Sequence, residues 1–77
     1  MKTDWKKRIE IHPDIMGGKP VIKGTRVPVK VIVGGLAGGM TIGEVCKEYR
    51  IKEEDVRAAL AYAAETLSEE HLIAVSR

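Results

Sequence analysis

The sequence is poor in the residues that build covalent staples and aromatic cores: its 77 residues include one cysteine, one tryptophan, two tyrosines and no phenylalanine. With Cys46 alone, the chain cannot form an internal disulfide framework or a thiolate-rich zinc cluster. Its core has to be built from Val, Ile, Leu and Ala. No apolar run approaches the roughly 18 residues of a membrane span, and no signal-peptide pattern opens the chain. We therefore expect a cytoplasmic protein that does not enter a membrane.

Residues suited to catalysis or metal binding are also scarce. His12 and His71 are too few for a metal site made by this chain alone, and neither stands at ligand spacing from an acidic residue. The two serines, Ser68 and Ser76, lie in no nucleophile elbow and have no histidine–acid pair beside them. Cys46 falls on an apolar helical stripe, which is typical of a small core residue. We expect a non-enzymatic protein that uses no metal or cofactor.

The length of the chain and the distribution of its charges indicate which partners it could bind. A single domain spanning residues 1–77 buries only about 60% of its unfolded surface, so we expect a homodimer. Residues 1–26 carry seven basic and three acidic side chains, a net charge of +4, whereas the remainder carries six basic and eight acidic. Such a basic segment is typical either of a solvated surface or of an arm that contacts nucleic-acid phosphates. Both interpretations stay open.

The N-terminal part of the chain has the pattern of short strands. Arg8–Ile11 alternates charged and apolar residues, which predicts a half-buried strand with both isoleucines inward. Pro13 interrupts it, and Val21–Ile22 forms a second short apolar pair. Residues 8–26 should therefore form an arm of two extended pieces joined by an irregular loop. A two-stranded ribbon is barely stable alone, so this arm has to pack on helices or on another chain.

Residues 28–67 have the pattern of three helices. Pro28 suits a helix start, and apolar residues then recur at helical spacing until Gly38-Gly39 ends the segment. Gly34 and Gly35 weaken this first helix but allow another backbone to approach closely. Thr41 and Glu44 have the spacing of a capping box, which predicts a second helix over Thr41–Tyr49.

The third helix is predicted from about Glu53 to Leu67, with three acidic residues in its first turn, where the helix dipole favours them. Four residues at helical spacing predict its inward face: Val56, Leu60, Ala63 and Leu67. A second apolar or small strip needs another burial partner, and we expect it to form the partner or dimer interface: Ala58, Ala61, Tyr62 and Ala64. Residues 68–77 are either a short last helix capped by Ser68 or a loose tail.

A capped helix, a tight turn and a longer helix indicate a helix-turn-helix motif. Ile51 is expected to fill the turn and Val56 to lock the second helix, while Arg50 occupies a turn position that glycine often takes. The second helix of this motif is the predicted third helix of the chain, and it begins with acidic residues that DNA phosphates would repel. Any DNA contact should therefore come mainly from the basic arm. The DNA-binding candidates are Lys6, Lys7, Arg8, Lys19, Lys23, Arg26 and Arg57.

The segment from Gly18 to Val29, GKPVIKGTRVPV, closely resembles the signature of the family known as domain of unknown function 433. The Thr41–Tyr49 helix and the Glu54–Tyr62 segment match that family further along, so the resemblance covers nearly all of Ile9 to Leu67. It implies a mainly α fold: a homeodomain-like, three-helix helix-turn-helix core preceded by a short β segment. Its motif residues, expected to have structural roles, are Gly18, Lys19, Pro20, Gly24, Thr25 and Arg26.

The glycines in this signature are not spaced as in a phosphate-binding loop, and Pro20 lacks an N–H group. We expect Gly18 and Gly24 to adopt unusual backbone angles, with Thr25 and Arg26 fixing the entry to the first helix.

The same resemblance implies a function. Many members of the family are similar to VapB-like antitoxins, encoded beside a PIN-like nuclease toxin. The chain is then expected to bind and neutralise such a toxin, and a basic side chain that blocks its acidic metal site would be Arg26, Arg57 or Arg77. The alternative is a DNA-binding transcriptional regulator of the helix-turn-helix type that uses the basic N-terminal arm.

Overall fold

A computed structural model of the chain describes residues 4–69. Two short strands precede three helices: β1 (Ile9–Glu10), β2 (Val21–Ile22), α1 (Val29–Ala37), α2 (Ile42–Tyr49) and α3 (Glu53–Glu69). Single turns of 3-10 helix lie at Trp5–Lys7 and Met16–Gly18. The predicted mainly α, helix-turn-helix architecture with an N-terminal β segment is confirmed. Residues 70–77, which include His71 and most of the expected tail, lie outside the described range.

The two strands form an antiparallel ribbon packed on the helices. The register pairs Ile9 with Ile22 and Glu10 with Val21. The other edge of β2 meets Pro28 in an isolated bridge to Val21. Ile9, Val21 and Ile22 are buried, but Ile11 is 55% exposed, so the expectation that both isoleucines face inward was wrong. Because β1 ends at Glu10, the alternation no longer fixes the direction of the next side chain.

A tight turn connects β2 to α1. Gly24 has a φ of 80°, a left-handed conformation in which glycine avoids the clash of a Cβ atom. The hydroxyl of Thr25 donates a hydrogen bond to the carbonyl of Ile22 (2.7 Å) and accepts one from the N–H of Val27 (3.0 Å). The structural roles predicted for Gly24 and Thr25 are thereby confirmed. Arg26 is exposed and makes no ion pair within residues 4–69, so, contrary to expectation, it does not help to fix the turn that leads into α1.

Helix α1 begins after Pro28 and ends at Ala37, directly before Gly38, as expected. Its two internal glycines, Gly34 and Gly35, differ in how closely other residues pack against them. A Cβ atom on Gly35 would lie 3.0 Å from Sδ of Met40 and 3.7 Å from Cγ2 of Val45, whereas one on Gly34 would meet nothing within 4 Å. The approach of another backbone, which was predicted for this pair, is therefore not observed within residues 4–69: Gly35 instead faces two side chains where α1 meets α2.

The turn between α2 and α3 follows the helix-turn-helix prediction. At the start of α2, the N–H of Glu44 donates to Oγ1 of Thr41 (3.0 Å) and the N–H of Thr41 donates to Oε1 of Glu44 (2.9 Å), which completes the capping box. Arg50 ends α2 in a left-handed conformation, with φ 58° and ψ 48°. Ile51 and Val56 are buried in the core.

Helix α3 buries only part of the predicted inward face: Val56 is completely buried and Ala63 is half-buried, but the two leucines are not buried. Ala58 and Ala59 are completely buried beside Val56, whereas Leu60 is 39% and Leu67 is 65% exposed. The inward orientation expected for the two leucines was wrong, and so was the assignment of Ala58 to an interface, because its own chain covers it. Apolar or small residues surround most of this helix, so their spacing did not determine which side is buried.

The other residues of the predicted interface strip lie further out on α3. Ala61 and Tyr62 are half-buried and Ala64 is exposed. The helix runs through Ser68 to Glu69, so Ser68 does not cap a new helix, since a capping residue has non-helical backbone angles.

Candidate interaction surfaces

An ion pair joins the N-terminal arm to the helix-turn-helix motif. Nη1 of Arg8 lies 3.0 Å from Oδ1 of Asp55, whose side chain is only 13% exposed. The other oxygen of Asp55 accepts the N–H of Lys52 at 2.9 Å, so the carboxylate also caps the start of α3. Both oxygens of this nearly buried carboxylate are therefore hydrogen-bonded, and the Arg8 guanidinium is held at the first turn of α3.

A second contact ties the start of the described chain to the middle of α3. The indole of Trp5 meets the ring of Tyr62 edge to face, with ring centroids 4.9 Å apart and an interplanar angle of 82°. Nε1 of Trp5 donates to Oε1 of Glu65 at 2.8 Å. The 3-10 turn at Trp5–Lys7 thereby packs along α3, and Tyr62, predicted at an interface, is partly covered by its own chain.

The exposed side of α3 carries an apolar surface that we call the α3 stripe: Leu60, Ala64 and Leu67. These residues follow one another at spacings of four and three, which places them on one side of a helix.

At the N-terminal end of the same helix, Nη2 of Arg57 lies 2.6 Å from Oε2 of Glu53. The predicted DNA-binding residue Arg57 is thus already paired with a carboxylate of its own helix.

Several of the predicted DNA-binding residues lie at one end of the β ribbon. The N–H of Lys23, just after β2, donates to the carbonyl of Arg8, just before β1, at 2.8 Å. Lys7 directly precedes Arg8, and Arg26 follows Lys23 by three residues. Lys19 instead precedes β2. Six of the seven candidates are exposed, and Arg8 is half-buried. Two of the seven, Arg8 and Arg57, form ion pairs within residues 4–69.

The structure also locates the residues considered for metal binding or reactivity. His12 is exposed, and its Nδ1 accepts the backbone N–H of Asp14 at 3.1 Å in a local turn. Cys46 is a free thiol packed partly against the core. No group of three metal-ligating side chains occurs among residues 4–69, and no helix in that range is long and apolar enough to cross a membrane.

Sequence reasoning missed the roles of Trp5 and Asp55. Asp55 stands three residues after Lys52, the spacing of a capping interaction, and that signal was available. Nothing in the local sequence linked it to Arg8, which we had placed among the DNA contacts. Likewise, no pattern connected Trp5 to Tyr62 and Glu65.

Known proteins share this domain in longer chains. The chain is 38% identical over 52 residues to the uncharacterized protein y4eO of Sinorhizobium fredii (strain NBRC 101917 / NGR234), an alignment that covers 66% of this chain and 24% of that protein. The crystal structure of Rv2018 from Mycobacterium tuberculosis matches 68% of this chain and 24% of that one, with 31% identity and a TM-score of 0.62. This chain thus aligns with about a quarter of each relative's length. Residues 9–63 match the family described as "Protein of unknown function (DUF433)", and the chain belongs to that family.

Proposed function

We propose that this protein is a non-enzymatic antitoxin of a prokaryotic toxin–antitoxin pair that binds and neutralises a PIN-like nuclease toxin. The observation that supports this best is the α3 stripe. Leu60 and Leu67 leave 39% and 65% of their surface exposed on one side of α3. The GKPVIKGTRVPV segment resembles the signature of domain of unknown function 433, many of whose members are similar to VapB-like antitoxins, and this supports the kind of partner.

The dimensions of the stripe suit binding to a groove on another protein. Leu60 and Leu67 are two turns apart, about 10 Å along the helix axis. Burying a leucine side chain contributes about 1.5–3 kcal/mol relative to leaving it exposed. A helix that presents such residues at regular spacing is a common way to fill a hydrophobic groove. The small side chain of Ala64, between the leucines, lets a partner surface approach the helix closely.

The proposal includes a cytoplasmic homodimer as the free form of the protein. With Ala58 buried, the part of the predicted dimer interface that is still accessible is the half-buried or exposed set Ala61, Tyr62 and Ala64. Light scattering on the purified chain should then give twice the 8.5 kDa mass of one chain. A monomeric mass at high concentration would contradict the predicted dimer but would not test the antitoxin proposal.

Coexpression with the product of the adjacent gene tests the antitoxin proposal. The unaltered chain should co-purify with that product and suppress its ribonuclease activity. The double variant Leu60→Ser/Leu67→Ser should lose both effects. A matched control is Ile11→Ser/Ile42→Ser, which changes two isoleucines that are also exposed (55% and 37%) but lie outside α3. The proposal fails if the unaltered chain neither co-elutes nor suppresses, or if the α3 variant performs as well as the control.

A further inference from the structure

The antiparallel register places positive charge at one end of the ribbon. Because Ile9 pairs with Ile22, the residues before β1 and after β2 lie at the same end. The hydrogen bond from the N–H of Lys23 to the carbonyl of Arg8 closes that end. We call the exposed cations gathered there the basic turn surface: Lys6, Lys7, Lys23 and Arg26.

These four cations are available to a ligand. None of them forms an ion pair with another residue of the range 4–69, in contrast to Arg8 and Arg57. Their backbone is nevertheless held in place. The side chain of Thr25 fixes the turn through its bonds to Ile22 and Val27, and Oδ1 of Asp4 accepts the N–H of Lys6 at 3.2 Å. An ordered backbone lowers the entropy lost when the charged side chains engage a partner.

The nearby start of α3 cannot take the same ligand. Asp55 is neutralised by Arg8 and Glu53 by Arg57, but Glu54 is exposed and forms no ion pair within residues 4–69. This end of the second motif helix is the part that enters the major groove in helix-turn-helix proteins. Its remaining carboxylate would be repelled by phosphates, whereas the adjacent basic turn surface attracts them.

We propose that the basic turn surface binds the phosphate backbone of duplex DNA without reading its sequence. The amino-acid sequence has no Asn or Gln to pair with adenine edges. Lys and Arg can pair with guanine, but those of the basic turn surface lie outside the helix that a helix-turn-helix motif places in the major groove, which favours contacts to phosphates. Lys and Arg side chains on a turn suit phosphate contacts, which add affinity but carry no sequence information. This activity goes beyond toxin binding and uses a different surface, so each can fail without the other.

Fluorescence anisotropy with the full chain and two 20-base-pair duplexes of unrelated sequence tests the proposal. Three or four phosphate contacts predict that the logarithm of the binding constant falls with the logarithm of salt concentration with a slope of about −3, a loss of about 60-fold between 50 and 200 mM KCl. Lys23→Gln or Arg26→Gln should each weaken binding to both duplexes and reduce the slope by about one. The matched control, Lys47→Gln, removes an exposed cation of α2 and should leave the slope unchanged.

Several results would overturn the proposal. They are an absence of binding at 50 mM KCl, an equal loss in Lys47→Gln, a tenfold preference for one duplex, or tenfold tighter binding to an RNA duplex of the same sequence. The Leu60→Ser/Leu67→Ser variant separates the two functions, since it should bind DNA as the unaltered chain does but should no longer bind the toxin.

Discussion

Arg8 and Asp55 are 47 positions apart in the chain, and their side chains form an ion pair with an Nη1–Oδ1 distance of 3.0 Å. This contact connects the end of the β ribbon to the first turn of α3, where the other oxygen of Asp55 caps the helix. It therefore sets the position of the basic turn surface relative to the helix-turn-helix motif. It also removes Arg8 from the cations that remain available to DNA.

Replacing Asp55 by Ala should destabilise the fold. The change removes a helix-capping bond, typically worth about 1 kcal/mol, and a charge-assisted bond whose contribution is reduced because the Arg8 side chain is 39% exposed. We expect the free energy of unfolding in urea to fall by about 2 kcal/mol. Glu54→Ala, on the exposed neighbour, should change it by less than about 0.5 kcal/mol. Equal unfolding midpoints for the two variants would show that the Arg8–Asp55 contact does not hold the arm.

Replacing Arg50 by Gly should stabilise the protein. Arg50 has a φ of 58°, and the left-handed conformation costs a residue with a Cβ atom about 1–2 kcal/mol. Glycine adopts it freely but also gains entropy in the unfolded chain, so we expect a net gain of about 1 kcal/mol and a melting temperature about 4–8 °C higher. The control Lys47→Gly, inside α2, should lower the melting temperature. A lower value for Arg50→Gly would mean that the arginine side chain makes a stabilising contact.

The two glycines of α1 should respond differently to alanine. At Gly34 an added methyl group meets nothing within 4 Å, so Gly34→Ala should stabilise the helix by about 0.5–1 kcal/mol. At Gly35 the methyl group would lie 3.0 Å from Sδ of Met40, so that side chain has to shift and the gain is reduced or lost. Thermal unfolding of the two variants provides the comparison. Gly35→Ala matching or exceeding Gly34→Ala would contradict the tight packing of α1 against α2.

The emission of Trp5, the single tryptophan of the chain, should report the docking of the N-terminal turn on α3. Tyr62→Ala removes the edge-to-face contact, for which we expect a red-shifted emission maximum and a loss of about 1–2 kcal/mol in stability. Glu48→Ala, an exposed change on α2, is the control and should leave the emission maximum unchanged. An unchanged spectrum in Tyr62→Ala would mean that the indole does not pack on α3 in solution.

Local sequence signals predicted most of the helical framework. Thr41 and Glu44 located the start of α2, Gly38 located the end of α1, and the acidic run from Glu53 marked the start of α3, because caps and dipole effects depend on residues within one turn of each other. The ribbon was predicted less well. Its second strand was found, but Ile11 was assigned to the wrong side because the alternation does not show where a two-residue strand ends.

The amino-acid sequence by itself determined the family, the order of the elements and the turn geometry at Gly24, since each depends on short-range spacing and backbone sterics. Only the tertiary structure decided which side of α3 is buried, because alanines around the helix make several orientations similar in hydrophobicity. Leu60 and Leu67 became an exposed stripe for that reason. The tertiary structure also decided that Arg8 pairs with Asp55, because an ion pair between residues so distant in the chain depends on how the ribbon packs and not on any local pattern.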